Sequence, residues 1–404
     1  MTLEESVNEF TLSRYDYFDQ WMLDEPLIIS EGFNNELLVL QKLMYKLIQE
    51  FVTNYQDYKK LMPIASDVEE IIQLFNTKPY KIGTYRTDFV FDDKKQVKLI
   101  EITCRFALNG MFLASILNKK ADNYLKTNFP SLKSIDCYSG VFKRFTSYLE
   151  GVDSIIILKG SDVRNESKIY EAIFERTGLT VEAVHFSEID QHLDQMKSAW
   201  VISELSFDEI LSLDKKTLEA LVPLNISNDF RTVFLIHDKR FFDVMGNTQL
   251  QQKVFSEEEA EFFNRYYIPT YSYDVNSEQW KSAQSNKNRW IIKHRALGKS
   301  QEIYAGIVTS EEEWEALFVS DNIGEMVLQE WIDQETSENT LKGEPINDFI
   351  TGTLLYFDDN YYGFGDFRTS SFPVTNKVDH RKLAGLILKD FDNLPESLKQ
   401  KAIY

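Results

Sequence analysis

The sequence is poor in cysteine, histidine and long apolar runs, and each shortage excludes a class of protein. Two cysteines, Cys104 and Cys137, among 404 residues cannot build a disulfide framework or a thiolate zinc site. The five histidines are scattered without HxxxH or HxH spacing, so a transition-metal catalytic centre is not expected. No apolar run reaches the about eighteen residues of a membrane span, and MTLEESVNEF lacks the features of a secretory signal. We therefore expect a cytoplasmic protein that does not enter a membrane.

Positive charge is also in short supply. The chain has 44 Lys and Arg against 64 Asp and Glu, a formal net charge of −20. A broad nucleic-acid surface needs Lys and Arg to displace counterions from phosphates, so nucleic acid is not an expected partner. One small basic pocket for a phosphorylated ligand stays compatible, because net charge averages over the whole surface.

Three regions of the chain differ in their hydrophobic patterns, and we expect them to be separate units. Residues 1–150 begin with an apolar stripe at helical spacing and continue into a predicted β-hairpin, Arg86–Phe91 and Val97–Thr103. In residues 151–228, continuous apolar strands alternate with a helix, as in a small parallel sheet. Residues 229–404 mix short strands and helices. The expected fold class is α/β in the wider sense that includes α+β.

The hairpin carries the first candidate site: Arg86, Asp88, Glu101 and Thr103. Residues two apart share a face of a strand, so the hairpin can bring the two pairs together. Two carboxylates and a hydroxyl suit Mg²⁺, and an arginine offers a fork to a phosphoryl oxygen. On the pattern alone, solvent-facing cross-strand ion pairs are the commoner explanation.

A second candidate lies in WIIKHRALGKS, a strand ending near Lys293 followed by a loop with Gly298, Lys299 and Ser300. Such a loop can lay ammonium groups and backbone N–H donors over phosphates. It is not a P-loop, because the earlier glycine of that motif would fall at position 293. A basic surface loop explains the pattern equally well.

Three further segments draw attention. The predicted strand VLQEWI, Val327–Ile332, could hold an adenine at its edge, although an ordinary core strand is commoner. Arg368 could contact a carboxylate or a phosphate, or form a structural ion pair. TVFLIHDKR, residues 232–240, reads as a strand that enters a helix.

Taken in order, these motifs resemble a circularly permuted ATP-grasp protein, similar to the synthetase domain of glutathionylspermidine synthase-type carboxylate–amine ligases. In ordinary ATP-grasp enzymes the acidic metal-binding strands follow the nucleotide-binding strands, whereas here they come first. The resemblance implies a permuted ATP-grasp fold in which residues 151–228 form a small Rossmann-like pre-ATP-grasp domain. It also implies ATP and Mg²⁺ as cofactors.

Carried over position by position, the resemblance implies a role for each candidate residue. The metal ligands would be Asp88, Glu101 and Thr103, and the catalytic arginines would be Arg86 and Arg368. The nucleotide contacts would come from Lys239, Lys293, Gly298, Lys299, Ser300, Gln329, Glu330, Trp331 and Ile332. The loop 295–300 would cover the triphosphate, and Arg105 and Asn109 would face the acyl substrate.

The activity implied is ATP- and Mg-dependent ligation of a carboxylate to an amine through an acyl phosphate, with release of ADP and phosphate. Two departures from the family pattern, Thr103 in place of an asparagine and a short glycine loop, keep an alternative open. That alternative is a catalytically impaired module that binds nucleotide or a peptide as a partner protein. The expected partners are a small-molecule or peptide carboxylate and an amine. The excess of acidic residues is compatible with a cationic amine. A homodimer is left open.

Overall fold

The computed structural model describes residues 1–108, 110–161, 166–274, 277–298, 300–375, 377–389, 391, 394–399 and 402–403. The strands are β1 Leu27–Ser30, β2 Thr84–Phe91, β3 Val97–Thr103, β4 Ser154–Lys159, β5 Thr180–His185, β6 Ala199–Ser203, β7 Ile226–Ser227, β8 Thr270–Ser272, β9 Trp290–His294, β10 Ile303–Ala305, β11 Met326–Glu330, β12 Ser337–Leu341, β13 Glu344–Phe357, β14 Asn360–Phe364, β15 Phe367–Ser370, β16 Arg381–Leu383, β17 Gly385–Leu388 and β18 Ala402–Ile403. The helices are α1 Leu3–Asp19, α2 Glu31–Thr53, α3 Tyr55–Tyr58, α4 Ser66–Phe75, α5 Met111–Asn128, α6 Gly140–Leu149, α7 Glu166–Phe174, α8 Ile189–Met196, α9 Phe207–Leu211, α10 Lys215–Leu221, α11 Phe230–Leu235, α12 Phe241–Met245, α13 Thr248–Val254, α14 Glu257–Asn264, α15 Glu278–Ser285, α16 Glu311–Leu317 and α17 Glu396–Lys399.

The largest sheet is antiparallel and joins two distant parts of the chain. Its strands run in the order β16-β15-β13-β2-β3, and β12 and β14 also pair with β13. The predicted hairpin is therefore confirmed as β2 and β3, with Asp88 opposite Glu101 in the ladder. Tyr85 and Phe89 of β2 are fully buried in the main apolar core. The alternation of a strand then places Arg86 and Asp88 on the other face.

A β-bulge interrupts β3 beside the acidic pair. Asp88 pairs with Glu101 and Phe89 pairs with Leu99, so Ile100 is the extra residue on its strand. The Ile100 carbonyl is thus released from the ladder and accepts a bond from Lys293 Nζ at 3.2 Å. The bulge therefore links the large sheet to a lysine of another sheet.

The second antiparallel sheet has the order β10-β9-β11-β8. Lys293 of β9 pairs with Val327 of β11, and Ile291 pairs with Gln329. One face of this sheet packs into a tryptophan-rich cluster that contains Trp280, Trp290, Ile292, Trp314 and Leu328. Lys293 and Gln329 therefore lie on the opposite face, as the alternation of strands requires.

A parallel sheet in the order β5-β4-β6-β7 follows β-α-β connections through α7 and α8. The predicted strands and helix of this region are confirmed as elements. Ile156 and Leu158 of β4 belong to one apolar cluster, whereas Ile155 and Ile157 belong to another. The strand is thus buried on both faces, as its unbroken apolar sequence predicted.

A second, smaller parallel sheet has the order β17-β1-β18 and packs beside α2. The predicted stripe of α2 is confirmed, because Leu37, Leu40, Met44, Leu47 and Phe51 are all fully buried. With its several sheets and helices, the protein is a mixed α/β fold of the expected class. The boundaries at residues 150 and 228 stay predictions.

The strand expected at 232–235 is wrong, because these residues form α11. Asp229 caps the helix by accepting a bond from the Arg231 N–H at 2.9 Å. Every residue of α11 is buried, the polar Arg231 and Thr232 included, so the helix has no exposed polar face to give its sequence a helical period. None of the described helices is long and apolar enough to cross a membrane.

Candidate functional site

A cavity of about 250 Å³ lies between the two antiparallel sheets. Its walls include side chains of β2, β3 and β15 on one side and of β9 and β11 on the other. The residues predicted from sequence that line it are Arg86, Asp88, Glu101, Thr103, Arg105, Lys293, Gly298, Ser300, Gln329, Glu330, Trp331, Ile332 and Arg368. Lys239 is not among the lining residues, but its Nζ lies 3.1 Å from Glu101 Oε1. Asn109 and Lys299 lie outside the described residues.

Asp88 is held between two arginines. Arg86 Nε lies 3.0 Å from Asp88 Oδ1, but the two lack hydrogen-bond geometry. Arg368 of β15 donates to Asp88 Oδ2. Burial by itself lowers the pKa of Arg368, but Asp88 and Asp366 outweigh it and raise that pKa above its ordinary value. Arg368 therefore forms an ion pair, one of the two alternatives that the sequence allowed, and it also lines the cavity.

Glu101 is held by lysines. Lys239 Nζ lies 3.1 Å from Glu101 Oε1. Burial raises the pKa of Glu101, but Lys239, His237 and Lys293 together reverse the effect and hold that pKa well below its usual range. The carboxylate is therefore charged at neutral pH and does not act as a proton donor there.

Lys293 is a buried lysine with few anionic neighbours. Its Nζ donates to Gln329 Oε1 at 2.7 Å and to the Ile100 carbonyl. Gln329 in turn donates to Thr270 Oγ1 at 2.8 Å, so the amide is fixed in its orientation. Burial lowers the pKa of Lys293 to about 8, against the opposing effect of Glu101. A polyanion in the cavity would stabilise the charged ammonium.

The loop predicted to cover the triphosphate is tied to its surroundings at both ends. Lys239 Nζ donates to the Leu297 carbonyl at 2.6 Å, and Arg295 Nη1 lies 2.7 Å from Asp238 Oδ2. Ser300 Oγ donates to the Thr375 carbonyl at 2.9 Å. The loop thus connects the HDKR segment with residues 373–375, which line the cavity.

One end of the cavity is apolar. Ile291, Ile303, Trp331 and Val374 line it and belong to a small separate apolar cluster. A nucleobase needs flat apolar walls with a few polar groups at its edge. The β11 segment supplies both, with Trp331 as a wall and Glu330 beside it.

Arg105 lines the cavity and also contacts residues that follow β6 of the four-stranded parallel sheet. Its Nε donates to the Glu204 carbonyl at 2.9 Å, and Nη2 lies 3.8 Å from Glu209 Oε2. Glu204 follows the carboxyl end of β6, where small ligands commonly bind in parallel sheets. Arg105 thus connects the cavity with that edge.

Sequence reasoning missed several residues of the site. His237 lines the cavity, and burial lowers its pKa to about 4, so the imidazole is neutral at pH 7. Asp366 approaches Arg368 Nε at 4.0 Å, and Thr375 lines the cavity. His237 stands two positions before Lys239, so the HDKR motif was a usable signal for it. Nothing local marked Asp366 or Thr375.

The oxygen donors fit Mg²⁺ in kind. The carboxylates that line the cavity are Asp88, Glu101 and Glu330, and among the described residues no group of three or more His, Cys, Asp or Glu is placed to hold a metal ion by itself. Mg²⁺ keeps several waters and is usually bound through one or two carboxylates and substrate phosphates. Asp88 Oδ1 is buried and accepts no hydrogen bond from the described residues, although Arg86 Nε lies 3.0 Å from it as an ion-pair partner.

The charge balance of the site favours an anion. Arg86, Arg105, Lys293 and Arg368 line the cavity against the carboxylates of Asp88, Glu101 and Glu330, and Lys239 adds a fifth positive charge beside Glu101. The nearby Asp366 does not alter this balance, because Lys382 Nζ pairs with it at 2.7 Å. An otherwise acidic protein therefore presents a positive cavity.

Comparisons with known proteins give one partial match to a family and a match of the whole fold. A family model described as the AnkG N-terminal domain matches residues 38–235, just under half of the chain. No curated protein sequence matches.

Among solved structures, 44 chains match. One is a glutathione synthetase-like effector from Globodera pallida, solved in its apo form, with a TM-score of 0.59 and 12% identity. The alignment covers 94% of this chain and 96% of that one. At this identity the shared property is the fold, and the fold of this chain is similar to that of a glutathione synthetase-like protein.

Proposed function

We propose that the protein is an ATP-grasp-type ligase, circularly permuted, that joins a carboxylate to an amine with ATP and Mg²⁺. The observation that carries the proposal is the cavity between two antiparallel sheets. Asp88 and Glu101 project from one sheet, and Lys293 and Gln329 project from the other. The likeness to a glutathione synthetase-like fold supports the same class of reaction.

The order of the strands supports the permutation. The acidic hairpin at 84–103 pairs with β13 at 344–357, so two segments far apart in the sequence contribute to one sheet. The nucleotide-side strands β8–β11 lie between these segments in sequence. Under this proposal the parallel sheet of β4–β7 is the Rossmann-like pre-ATP-grasp domain.

In the proposed reaction, the substrate carboxylate attacks the γ-phosphate of ATP and releases ADP. An amine then displaces phosphate from the acyl phosphate and forms the amide. The work of the chain is positioning and neutralisation of charge, since phosphoryl transfer needs little covalent help. Lys239 and Lys293 would hold phosphate oxygens, and Arg86 and Arg368 would face the transferred group.

Three further roles complete the proposal. Asp88, Glu101 and Thr103 would hold Mg²⁺, which would neutralise phosphate charge when bound. The apolar end near Trp331 and Ile332 would take the base. Arg105, at the edge of the parallel sheet, would hold the acyl substrate's carboxylate.

The experiment that tests the proposal measures ADP release. Purified protein receives ATP, Mg²⁺ and pools of carboxylates and amines, with each pool omitted in turn. ADP release that needs both pools, and that Glu101→Gln loses, is the expected result. No release with any pool, together with no thermal stabilisation by ATP, would overturn the proposal.

A second candidate function, a nucleotide-binding partner protein without ligase activity, has one observation in its favour. Asp88 and Glu101 are both ion-paired with cations of the protein itself, and Thr103 stands where an asparagine ligand is usual. Stabilisation of the fold by ATP without any ADP release would select this candidate.

A further inference from the structure

The carboxylates of Asp88 and Glu101 each form ion pairs with cationic side chains of the protein itself. Arg368 donates to one oxygen of Asp88, and Arg86 lies 3.0 Å from the other. Lys239 lies 3.1 Å from Glu101. The Asp88 and Lys239 side chains are only 4% exposed, so water screens these pairs weakly.

We propose that these ion pairs prevent free divalent metal ions from binding to Asp88 and Glu101. A bound nucleotide polyphosphate would draw the cations away from the two carboxylates, which could then bind the metal. A metal ion arriving alone would have to displace arginine and lysine from the carboxylates. It would also enter a cavity where five cationic groups, Lys239 included, already outnumber three carboxylates. Repulsion between like charges in a weakly screened site opposes that step.

A triphosphate reverses this balance. Its oxygens offer Arg86, Arg368 and Lys239 new partners of the kind that arginine and lysine bind well. The carboxylates are then released toward the metal, which the phosphates also attract. This inference rests on the proposed function and adds an order to it: nucleotide enters before the metal or together with it.

The coupling is reciprocal. If nucleotide raises the affinity for metal by some factor, metal raises the affinity for nucleotide by the same factor. Metal-free ATP is nevertheless expected to bind, since the cavity is positive without the metal. The nucleotide-free protein would therefore bind anions, and it would bind metal only once an anion is present.

The test uses Mn²⁺ as the metal probe, followed by the electron paramagnetic resonance signal of the free ion. Wild-type protein without nucleotide is expected to leave Mn²⁺ free, while ATP in EDTA still raises its melting temperature. Arg368→Gln releases one Asp88 oxygen and is expected to raise the affinity for free Mn²⁺ by at least about tenfold. Adding Asp88→Asn to that variant is expected to remove the gain.

Arg144→Gln is the matched control, because Arg144 pairs with a buried carboxylate, that of Asp358, and does not line the cavity. It removes the same charge and is expected to gain no Mn²⁺ site. Arg86→Gln repeats the test if Arg368→Gln does not fold, as judged by circular dichroism.

Two results would overturn the inference while leaving the proposed function in place. One is wild-type protein that binds one Mn²⁺ per chain as tightly as the arginine variants. The other is ATP that stabilises the wild type only when metal is present. A protein that binds no nucleotide under either condition would instead contradict the proposed function.

Discussion

Asp88 and Glu101 face each other across the β2–β3 ladder, but their carboxylates are bound by cations from different parts of the chain. Arg368 of β15 donates to Asp88, and Lys239 of the HDKR segment binds Glu101. The hairpin therefore supplies two carboxylates, and residues from other parts of the fold supply the cations that pair with them. Variants of these residues, and of a buried ion pair elsewhere in the core, are therefore expected to have distinct effects on activity, binding and stability.

Glu101→Gln is expected to lower ATP-dependent ADP release by at least about a hundredfold, because it removes a carboxylate from the charge-stabilising cluster. The fold should be kept, since glutamine has the same shape and can still accept from Lys239. Steady-state ADP assays and a thermal melt measure the two effects. Glu278→Gln, in an exposed pair with Lys281, is the control that should leave the rate unchanged.

Nucleotide affinity is expected to fall as the pH rises above 8. Burial lowers the pKa of Lys293 from 10.5 to about 8, so the free protein loses this charge between about pH 7 and 9. Bound phosphate favours the ammonium, so binding takes up a proton in that range, and affinity falls by up to about tenfold per pH unit.

Calorimetric titration of ATP in two buffers of different ionisation enthalpy measures this proton uptake directly. Lys293→Arg is the control, because arginine keeps its charge throughout and should remove most of the pH dependence. Wild-type affinity that stays flat from pH 7.5 to about 9.5 would contradict the role of Lys293 as a phosphate ligand.

Changes at Thr103 are expected to move the Mg²⁺ requirement in opposite directions. Thr103→Asn supplies a stronger amide ligand and should lower the Mg²⁺ concentration needed for half-maximal nucleotide stabilisation, by about tenfold. Thr103→Val keeps the shape but loses the oxygen and should raise it. Identical Mg²⁺ titrations for the wild type and both variants would remove Thr103 from the ligand set.

Arg231→Met is expected to destabilise the fold by about 3–5 kcal/mol, because it leaves the buried Asp229 carboxylate without its cation. Arg231 is 2% exposed and binds Asp229 Oδ2 at 2.7 Å. Guanidinium unfolding measures the loss. Arg176→Met breaks an exposed pair with Glu9 and should change stability by under about 1 kcal/mol.

The double variant Asp229→Asn/Arg231→Met separates the causes of that loss. If the uncompensated carboxylate dominates, removing its charge should recover part of the stability. A double variant no more stable than Arg231→Met would place the loss in the bonds from Arg231 to the Asn76 side chain and the Lys78 and Pro79 carbonyls.

Local patterns predicted the parts of the site that neighbouring residues build. The hairpin of β2 and β3 was readable because alternation and a polar turn are both contained within 84–103. The same holds for Lys293, which ends an apolar run before a glycine-containing loop. The helix at 230–235 was missed, because a short run that is buried all round has no period to read.

Long-range pairings were beyond sequence reasoning. Arg368 meets Asp88 only because β13 lies between β2 and β15 in the sheet, and no local signal specifies that order. The sequence therefore left open whether Arg368 was a ligand contact or an ion pair. The bulge at Ile100, which brings Lys293 to β3, was likewise invisible, since it depends on how two strands pair.

The separation of Asp88 and Arg368 by 280 positions has a consequence for synthesis. At about 5–20 residues per second, Asp88 leaves the ribosome roughly 15–55 s before Arg368. During that time the β2 edge that will receive β13 is unpaired, and an unpaired edge invites association with other chains. Nascent protein is thus most exposed to aggregation before its last strands emerge, and the mature cavity exists only when they have been added.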